Sequence, residues 1–344
     1  MRHIAIAGLL SLVMASVLGA QARGPQGPPQ ITRVAGDLYK VTTIGAVSTS
    51  TVFLVTPEGI ILADPDGPEV TAFLKTEFAR RFNVPVRYVI YSHYHWDHAR
   101  GGKVFADTAK FVAYARMPEM LNSPFTVAPP PGDTRDRNGD NRFSLDETFT
   151  ATRANFQRFD TNGDGFLTHD EINADIQPPD TLFSTDRYTV TLGGKRVELV
   201  YTGGRHTPDM IDMYFPVERT LLAGDYVWIN RICCNFGFDL VPLSQWIASL
   251  EALERLDFDI LVNSHWESGT KADLTAFRGY LEDLSAQVSA GIKAGRSKEE
   301  LQQTIKLEKY SRYTGYPDTV PQIIGSAYDN LTRFTSSATP ALPR

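Results

Sequence analysis

The sequence predicts an α/β sandwich, and three stretches near its beginning support that prediction. Residues 31–62 alternate apolar and polar side chains between turn signals, which is typical of antiparallel strands. Residues 69–82 place apolar side chains at helical spacing, and residues 86–92 form a β-branched and aromatic run typical of a buried strand. Because strands and helices alternate, we expect helices to cover a sheet.

The remaining elements continue this pattern after one interruption. Residues 101–114 predict another helix and strand, whereas residues 122–180 are polar and bounded by prolines, which indicates an inserted module. Residues 187–204 resume strand-type alternation, with Gly193-Gly194 as a hairpin turn. Residues 271–334 carry helical periodicity. The predicted divisions are a signal peptide (1–22), the first part of the sandwich (31–121), the inserted module (122–180), the second part (181–270) and a helical C-terminal extension (271–334).

Composition and charge limit the classes of partner. The chain has 344 residues, of which 42% are hydrophobic and 22% charged, and these are ordinary values for a globular protein. Its net charge of −6 leaves no basic excess for binding nucleic acid phosphates. We therefore expect a small-molecule substrate, no nucleic acid, and no membrane contact after signal cleavage. No pattern in the sequence predicts a protein partner.

The first 22 residues have the features of a secretory signal peptide. Arg2 and His3 precede an apolar run, and Ala20-Gln21-Ala22 is a small-x-small cleavage site. We expect cleavage after Ala22 and a periplasmic or secreted mature protein; an uncleaved anchor helix is the alternative. Export permits disulfides, but the only two cysteines, Cys233 and Cys234, are adjacent, so two buried thiols are expected.

The segment HYHWDH follows a predicted strand and holds three histidines and an aspartate within six residues. On a turning loop His93 and His95 project to one side. Asp97 and His98 fall near the start of the next helix and can face a second point in space. A borderline divalent ion such as zinc accepts imidazole nitrogen and carboxylate oxygen, so this one loop can serve two metal ions.

Further ligands must come from elsewhere, and three candidates follow predicted strands. His206 stands in GGRHTPD, Asp225 in LLAGDYVW and His265 in DILVNSHW. Of the seven histidines, His3 lies in the signal peptide and His169 in a different motif. Any one of the three candidates alone is equally well explained as a structural residue. Together they stand where α/β sheets place their sites, at the ends of strands.

In this order, HYHWDH, GRHT, AGD and SHW are similar to the metal-binding motifs of the metallo-β-lactamase superfamily, over residues 31–266 apart from the inserted module. The resemblance implies a four-layer αββα sandwich. Asp64, in ILADPDG, occupies a place where relatives carry an aspartate that orients the ligands. The implied ligands are His93, His95 and His206 for the first metal and Asp97, His98 and His265 for the second, with Asp225 as a bridge.

The resemblance also implies a binuclear hydrolase, with Zn²⁺ as the expected metal. Two ions about 3.5–4 Å apart share a water and lower its pKa, which makes a bridging hydroxide available. The hydroxide attacks a carbonyl or phosphoryl centre, while Asp97 orients it or passes a proton to the leaving group. We expect a lactone, ester or phosphoester substrate, because relatives with such activities, including glyoxalase II and lactonases, keep the bridging aspartate that is Asp225 here.

Two other activities of the superfamily remain open. Secreted β-lactam hydrolysis suits an exported protein, although β-lactamases usually carry cysteine or serine in place of Asp225. A mononuclear-iron persulfide dioxygenase can share the same ligands, whereas oxygen reduction by a diiron site is disfavoured because those relatives have glutamate in place of His95. Five aromatic residues near the ligands either line an apolar pocket or pack in the core: Tyr226, Trp228, Phe236, Phe238 and Trp266.

A second metal signature lies in the inserted module. DRNGDNRFSLDE and DTNGDGFLTHDE both resemble the twelve-residue calcium loop of EF-hands; the second fits throughout, including Gly165 at the sharp turn, and the first has asparagine there. Only residues 148–159 separate the loops, enough for one helix with Phe149, Phe156 and Phe159 along a face. We expect Ca²⁺ to order the insertion beside the active-site mouth; a solvated acidic loop is the alternative. The expected ligands are Asp136, Asn138, Asp140, Arg142 (carbonyl), Ser144 and Glu147, and Asp160, Asn162, Asp164, Phe166 (carbonyl), Thr168 and Glu171.

Overall fold

The computed structural model describes residues 29–42, 48–132, 134–232, 238 and 240–335. The predicted signal peptide and the pair Cys233-Cys234 lie outside these residues. The strands are β1 (Gln30–Ala35), β2 (Leu38–Thr42), β3 (Ser50–Thr56), β4 (Gly59–Ala63), β5 (Val86–Ile90), β6 (Lys110–Tyr114), β7 (Phe143–Ser144), β8 (Phe166–Leu167), β9 (Thr181–Phe183), β10 (Arg187–Leu192), β11 (Lys195–Val200), β12 (Asp212–Phe215), β13 (Thr220–Ala223), β14 (Ile260–Asn263) and β15 (Gly269–Thr270). The α-helices are α1 (Pro68–Arg81), α2 (Trp96–Ala99), α3 (Met117–Asn122), α4 (Thr150–Ala154), α5 (Phe156–Phe159), α6 (His169–Ile172), α7 (Leu243–Glu254), α8 (Lys271–Lys293), α9 (Lys298–Thr304) and α10 (Val320–Thr335).

Two sheets form the centre of the molecule. The first has the strand order β1-β2-β3-β4-β5-β6-β9, and the second has the order β10-β11-β12-β13-β14-β15. Strands β1 to β4 form the antiparallel meander that the sequence predicts. The predicted hairpin joins β10 to β11, with Leu192 opposite Lys195. The neighbours β4 and β5 are parallel, and so are β13 and β14.

Alternating side chains on both sheets produce four layers. In β3, Leu54 belongs to the hydrophobic cluster shared by the two sheets, whereas Phe53 packs in the outer cluster with α1. In β13, Leu222 faces the first sheet, and Leu221 packs in the outer cluster with α7, α8 and α10. Each sheet is therefore covered on both faces, in the αββα order that the resemblance implies.

The candidate ligands lie at the edge where the parallel strands end. Strands β4 and β5 lead into Asp64 and the His93 loop, and β13 and β14 lead into Asp225 and His265. Because the carboxyl ends of parallel strands meet at one edge of a sheet, these side chains are brought together. A backbone hydrogen bond of 2.8 Å, from the first residue of β3 to the residue before His265, joins the two sheets at this edge.

The inserted segment, residues 122–180, has a small hydrophobic cluster of its own. Strands β7 and β8 pair antiparallel within it, with Phe143 opposite Leu167. Trp96, the first residue of α2, packs against this cluster, so the segment contacts the helix that carries Asp97 and His98. The buried members are Phe125, Phe143, Phe156, Phe159, Leu167 and Ile172.

Three predicted helices differ from the structure. The single helix expected over residues 148–159 is wrong, because Asn155 ends α4 and its side chain donates to a backbone carbonyl of α4. Phe149 precedes the first residue of α4 and is 50% exposed. The helix expected after Gly101 is a short 3₁₀ turn, since that glycine takes a left-handed φ of +85°. The helical periodicity expected over residues 271–334 is interrupted after Thr304, where α9 ends and extended backbone follows.

Helices α8, α9 and α10 occupy the predicted C-terminal stretch. Their buried side chains belong to the same hydrophobic cluster as those of β13 and α7. They therefore form the outer layer of the second sheet. Among the residues described, no helix combines the length and the apolar character needed to span a membrane.

Candidate metal centre

The loop after β5 carries four of the seven candidate ligands. His93 and His95 precede α2, and Asp97 and His98 stand in the first turn of that helix. All four side chains are buried. The two pairs face different neighbours, as the spacing HYHWDH predicts.

His93, His95, His206 and Asp225 form the first group, in which the ligand atoms all lie within 4.8 Å of one another. Nδ1 of His95 is 3.1 Å from Nε2 of His206. Oδ2 of Asp225 lies 3.7 Å from Nε2 of His93 and 3.6 Å from Nε2 of His206. The structure thus brings together the three histidines expected at the first metal.

Asp97, His98 and His265 form the second group. Nε2 of His98 lies 3.1 Å from Nε2 of His265 and 3.9 Å from Oδ1 of Asp97. Oδ2 of Asp225 lies 3.2 Å from Nε2 of His98 and 2.9 Å from Nε2 of His265. Because the same oxygen also faces the first group, Asp225 lies between the two ligand groups.

Arg205 fixes the loop that presents His206. Its guanidinium is buried and donates to the carbonyl of Gly203 at 3.1 Å and to Oε1 of Gln245, on α7, at 3.3 Å. Gly203 and Gly204 take φ values of +109° and +62°, which side chains other than glycine rarely adopt. The turn and its buried arginine together hold His206 towards the first group.

Two imidazoles are oriented by backbone carbonyls on the far side of the ring. Nε2 of His95 donates to the carbonyl of Pro129 at 3.2 Å, and Nδ1 of His265 donates to that of Ser48 at 3.0 Å. A carbonyl oxygen only accepts, so these nitrogens carry the ring proton. The other nitrogen of each ring then presents a lone pair to its group, which is how metal-binding histidines are usually held.

Two further side chains orient ligands. Oδ2 of Asp64 lies 3.3 Å from Nδ1 of His98, and Oδ1 of Asp64 accepts from the N–H of Ser92 at 2.8 Å. Asp64 adopts a left-handed φ of +50°, a conformation that non-glycine residues adopt chiefly where the surroundings impose it. Oγ of Ser264 donates to Oδ1 of Asp225 at 2.6 Å and leaves Oδ2 facing both groups.

The donor set fits two divalent ions. Nε2 of His93 and Oδ1 of Asp97 are buried and have no hydrogen-bond partner among the described residues. The nitrogens of His98 and His265 face each other at 3.1 Å, a contact that needs a proton or a cation between them. Imidazole and carboxylate are ligands of borderline ions such as Zn²⁺. The residues present therefore suit the expected metals.

Burial and neighbouring charges set the protonation of the ligands. Burial lowers the pKa of His93 and His95 well below the ordinary value and lowers that of His206 to about 4. These three imidazoles are thus neutral at pH 7 and free to bind a cation. Burial alone would raise the pKa of Asp225, but the adjacent imidazoles, led by His265, hold it well below its usual range. Asp225 is therefore ionised.

The predicted calcium ligands lie in two exposed loops of the inserted segment. Oδ1 of Asp136 accepts from the N–H of Gly139 at 2.7 Å, and Oδ2 of Asp160 accepts from that of Gly165 at 3.0 Å. In both loops the first carboxylate thus points back into its own turn. Neither of the two groups of His and Asp ligands in the described part of the chain includes these carboxylates. Calcium binding stays a prediction.

Three of the five aromatic residues near the ligands in sequence pack in the core. Tyr226, Trp228 and Phe238 are buried in the cluster between the second sheet and its helices. Trp266 packs beside His265, and the guanidinium of Arg231 lies over its ring. Phe236 lies outside the described residues. Core packing, one of the two roles considered for them, applies to the first three.

Sequence reasoning missed several residues that orient ligands, among them Ser48, Pro129 and Ser264. Ser48 and Pro129 act through backbone carbonyls, which any residue type supplies, so no sequence signal could have indicated them. Ser264 acts through its hydroxyl. Its place directly before a predicted ligand is the one signal that could have found it.

A family model described as the metallo-beta-lactamase superfamily matches residues 44–265. The linear primary-alkylsulfatase of Pseudomonas sp. (strain ATCC 19151) is 23% identical over 276 residues, which cover 76% of this chain and 50% of that protein. The 2,4-dinitroanisole O-demethylase subunit alpha of Nocardioides sp. (strain JS1661) is 25% identical over 197 residues, covering 56% and 43%. This chain spans about half the length of the curated relatives it matches.

Solved structures show the same fold. The stereoselective inverting sec-alkylsulfatase Pisa1 from Pseudomonas sp. has a TM-score of 0.63 at 17% identity, over 91% of this chain and 52% of its own. A metallo-beta-lactamase from Pontibacter korlensis has a TM-score of 0.53 at 19% identity, over 74% of this chain and 99% of its own. At these identities the likeness shows the fold alone.

Proposed function

This chain belongs to the metallo-β-lactamase superfamily, and we propose that it is a binuclear, zinc-dependent hydrolase of ester-type bonds. The observation that carries the proposal is the position of Oδ2 of Asp225, which lies 2.9–3.7 Å from imidazole nitrogens of both groups. Ions held on either side of one carboxylate oxygen lie close enough to act on the same water and the same ester group.

The chain's own residues hold the reacting groups and move the proton. When bound, two such ions supply a hydroxide near neutral pH and polarise the substrate oxygen. Asp97 is buried, and burial raises its pKa, so its carboxylate takes up a proton more readily than an exposed one. We assign it the transfer of a proton to the leaving group. Burial of the ligands keeps bulk water away from the centre.

The substrate class proposed is an ester of a carboxylic acid, including lactones, or of phosphoric or sulfuric acid. The bridging carboxylate supports hydrolysis of such bonds, and one curated relative is named as an alkylsulfatase. β-Lactam hydrolysis has weaker support, because the similar solved structures named as metallo-β-lactamases share 16–19% identity with this chain and speak only to the fold.

A hydrolysis screen of the zinc-loaded protein tests the proposal, with lactones, carboxylic esters, phosphoesters, alkyl sulfates and β-lactams as substrates. We expect turnover of an ester class, two bound zinc ions, and loss of turnover in Asp97→Asn with zinc retained. Asp107→Asn, at an exposed aspartate, is the matched control and should leave turnover unchanged. Turnover of β-lactams alone, or full activity after zinc removal, would contradict the proposal.

A structural role for Ca²⁺ in the inserted segment is part of this proposal. Two loops of the calcium pattern, paired through β7 and β8, support it. Extracellular modules bind at about 10⁻⁴–10⁻³ M, so calorimetric titration should cover that range. We expect calcium binding at the second loop to be lost when Asp160→Asn and Glu171→Gln are combined and to persist in Asp170→Asn, at an exposed neighbour. Absence of any binding heat in the unaltered protein would refute this role.

Export with cleavage after Ala22 is the last part of the proposal. It is supported by Arg2 and His3, the apolar run and the small-x-small site that follows. Expression in a bacterial host followed by N-terminal sequencing should find protein in the periplasm or medium beginning at Arg23. An intact N-terminus on protein confined to the cytoplasm would refute it.

A further inference from the structure

A cavity of about 280 Å³ opens beside the first ligand group. His95 and His206 form part of its lining, and residues 125–136 of the inserted segment supply much of the remainder. A molecule in this cavity therefore lies against two imidazoles of the candidate metal centre. The volume is close to the lower end of the range for ligand pockets, about 300 Å³, which favours a small molecule.

Arg135 supplies a guanidinium to this lining and has no acidic partner among the described residues. Its Nη1 donates to the carbonyls of Thr134 at 2.8 Å and Gly132 at 3.1 Å, whereas Nε and Nη2 make no hydrogen bond to the described residues. Across those residues, no carboxylate lies within ion-pair distance of it. The adjacent Asp136 is engaged with two backbone N–H groups of its own loop. Two nitrogens of a positive group thus remain for a ligand.

The charge of Arg135 also reaches the metal centre. Arg135 lines the same cavity as His95 and His206, two imidazoles of the first ligand group. An anion held at this guanidinium therefore lies within electrostatic range of the first ligand group. The charged part of a ligand and the candidate ions occupy one continuous site.

Apolar side chains form another part of the wall. Phe125, Val127 and Leu240 line the cavity, and Val127 is 60% exposed and Leu240 43% exposed. Six large hydrophobic side chains are exposed among the described residues, and two of the six line this cavity. Adjacent exposed hydrophobic side chains mark binding sites. Beside an unpaired guanidinium, they fit a ligand with an apolar part and a negative group.

We propose that the substrate is an anionic ester of a small hydrocarbon alcohol, whose acid group binds Arg135 while its hydrocarbon contacts Val127 and Leu240. This inference rests on the proposed hydrolase function and narrows its substrate class. Sulfate and phosphate monoesters have this chemistry, whereas lactones and carboxylic esters lack the negative group. Hydrolysis adds one water across the ester bond and yields the alcohol and the acid, so no further reactant is needed.

Calorimetric titration with octanesulfonate tests the role of Arg135 without requiring turnover, because a carbon–sulfur bond is not an ester. We expect Arg135→Gln to weaken binding about 10- to 100-fold in zinc-loaded and in metal-free protein, since a charged hydrogen bond is lost. Arg137→Gln, at an exposed arginine of the same segment, makes the same charge change and should bind normally. Octylphosphonate and octanoate in parallel identify which acid group binds best.

A series of sulfonates of increasing chain length tests the apolar wall. Each added methylene should tighten binding about fourfold until the cavity is filled, the fold-change that corresponds to about 0.8 kcal/mol per buried methylene. Val127→Ser should reduce this gain. Val217→Ser, at a side chain that is 69% exposed and outside the cavity lining, should not.

The outcomes separate this inference from the hydrolase proposal. Equal binding of octanesulfonate by the unaltered protein and by Arg135→Gln overturns the inference, even if neutral esters are hydrolysed. Turnover of neutral esters in preference to sulfates and phosphates overturns it as well. Binding that depends on Arg135 and on chain length, with no ester turned over, instead supports the anion site and refutes the hydrolase function.

Discussion

Replacing Phe159 by alanine should loosen the inserted segment and, through it, helix α2. Phe159 is 1% exposed; its ring meets that of Trp96 edge to face at 4.8 Å, and the guanidinium carbon of Arg100 lies 4.4 Å from its centre. Removing a buried phenylalanine costs about 3–5 kcal/mol, and an aromatic pair contributes about 0.5–1.5 kcal/mol beyond its buried area. Because these contacts join the segment to α2, local unfolding of the segment becomes easier by this amount.

Amide hydrogen exchange measures that local unfolding. A loss of about 3–5 kcal/mol corresponds to exchange roughly 10²–10⁴ times faster at the protected amides of β7 and β8. Trp96 and Arg100 also flank Asp97 and His98 on α2. We therefore expect the affinity for the second zinc ion to fall about tenfold and the affinity for the first ion to stay the same. Tenfold is the smallest loss usually seen when a residue that orients a metal ligand is removed.

Phe149→Ala is the matched control, because this phenylalanine lies in the same segment and is 50% exposed. It should change stability by no more than about 0.5 kcal/mol. Both variants are compared at one fixed calcium concentration. Equal exchange rates in Phe159→Ala and Phe149→Ala would refute the packing argument. Faster exchange with unchanged affinity for the second ion would refute the link to α2.

Three further changes test other contacts. Asp64→Ala should lower the affinity for the second ion about 10- to 100-fold, because the carboxylate beside Nδ1 of His98 is lost. Competition titration with a zinc chelator measures this affinity, and an unchanged value would contradict the prediction. Gly101→Ala should cost more than about 2 kcal/mol in urea unfolding, since its Cβ would lie 2.4 Å from the backbone of Gly67 at a φ of +85°; equal midpoints would contradict this. Burial raises the pKa of Asp212 to about 7. Between about pH 4 and pH 7 the folded state therefore keeps a proton that the unfolded state has released. The contribution of this group to folding stability falls as the pH rises through that window. Relative to the unaltered protein, Asp212→Asn should therefore gain up to about 1.4 kcal/mol per pH unit in that window, and a gain that does not grow with pH would refute the assignment.

The ligands could be predicted from the sequence because their positions depend on short-range geometry. The spacing of HYHWDH separates His93 and His95 from Asp97 and His98 once a helix begins at Trp96, which it does. The remaining ligands follow buried strands, and the ends of parallel strands meet at one edge whatever the length of chain between them.

The cavity could not be predicted in the same way. Which side chains reach it depends on how distant elements pack. Tyr226 is buried in the core although it directly follows a candidate ligand, whereas Val127, which lies in the inserted segment, lines the cavity. Arg135 gave no signal because an arginine in a polar stretch is ordinarily solvated. The single helix over residues 148–159 was wrongly predicted because the side chain of Asn155 competes with the helix backbone, an effect that apolar periodicity does not indicate.

Pro129 serves two parts of the site at once. Its carbonyl accepts from Nε2 of His95 and from the hydroxyl of Tyr94, and the residue also lines the cavity. A backbone shift that admitted a bulkier substrate would therefore rotate a metal ligand. In directed evolution, we expect variants that enlarge the cavity at Pro129 to accept larger substrates but to bind zinc less tightly. Replacing the side chain of Val127 or Leu240 would enlarge the cavity and leave the Pro129 carbonyl in place.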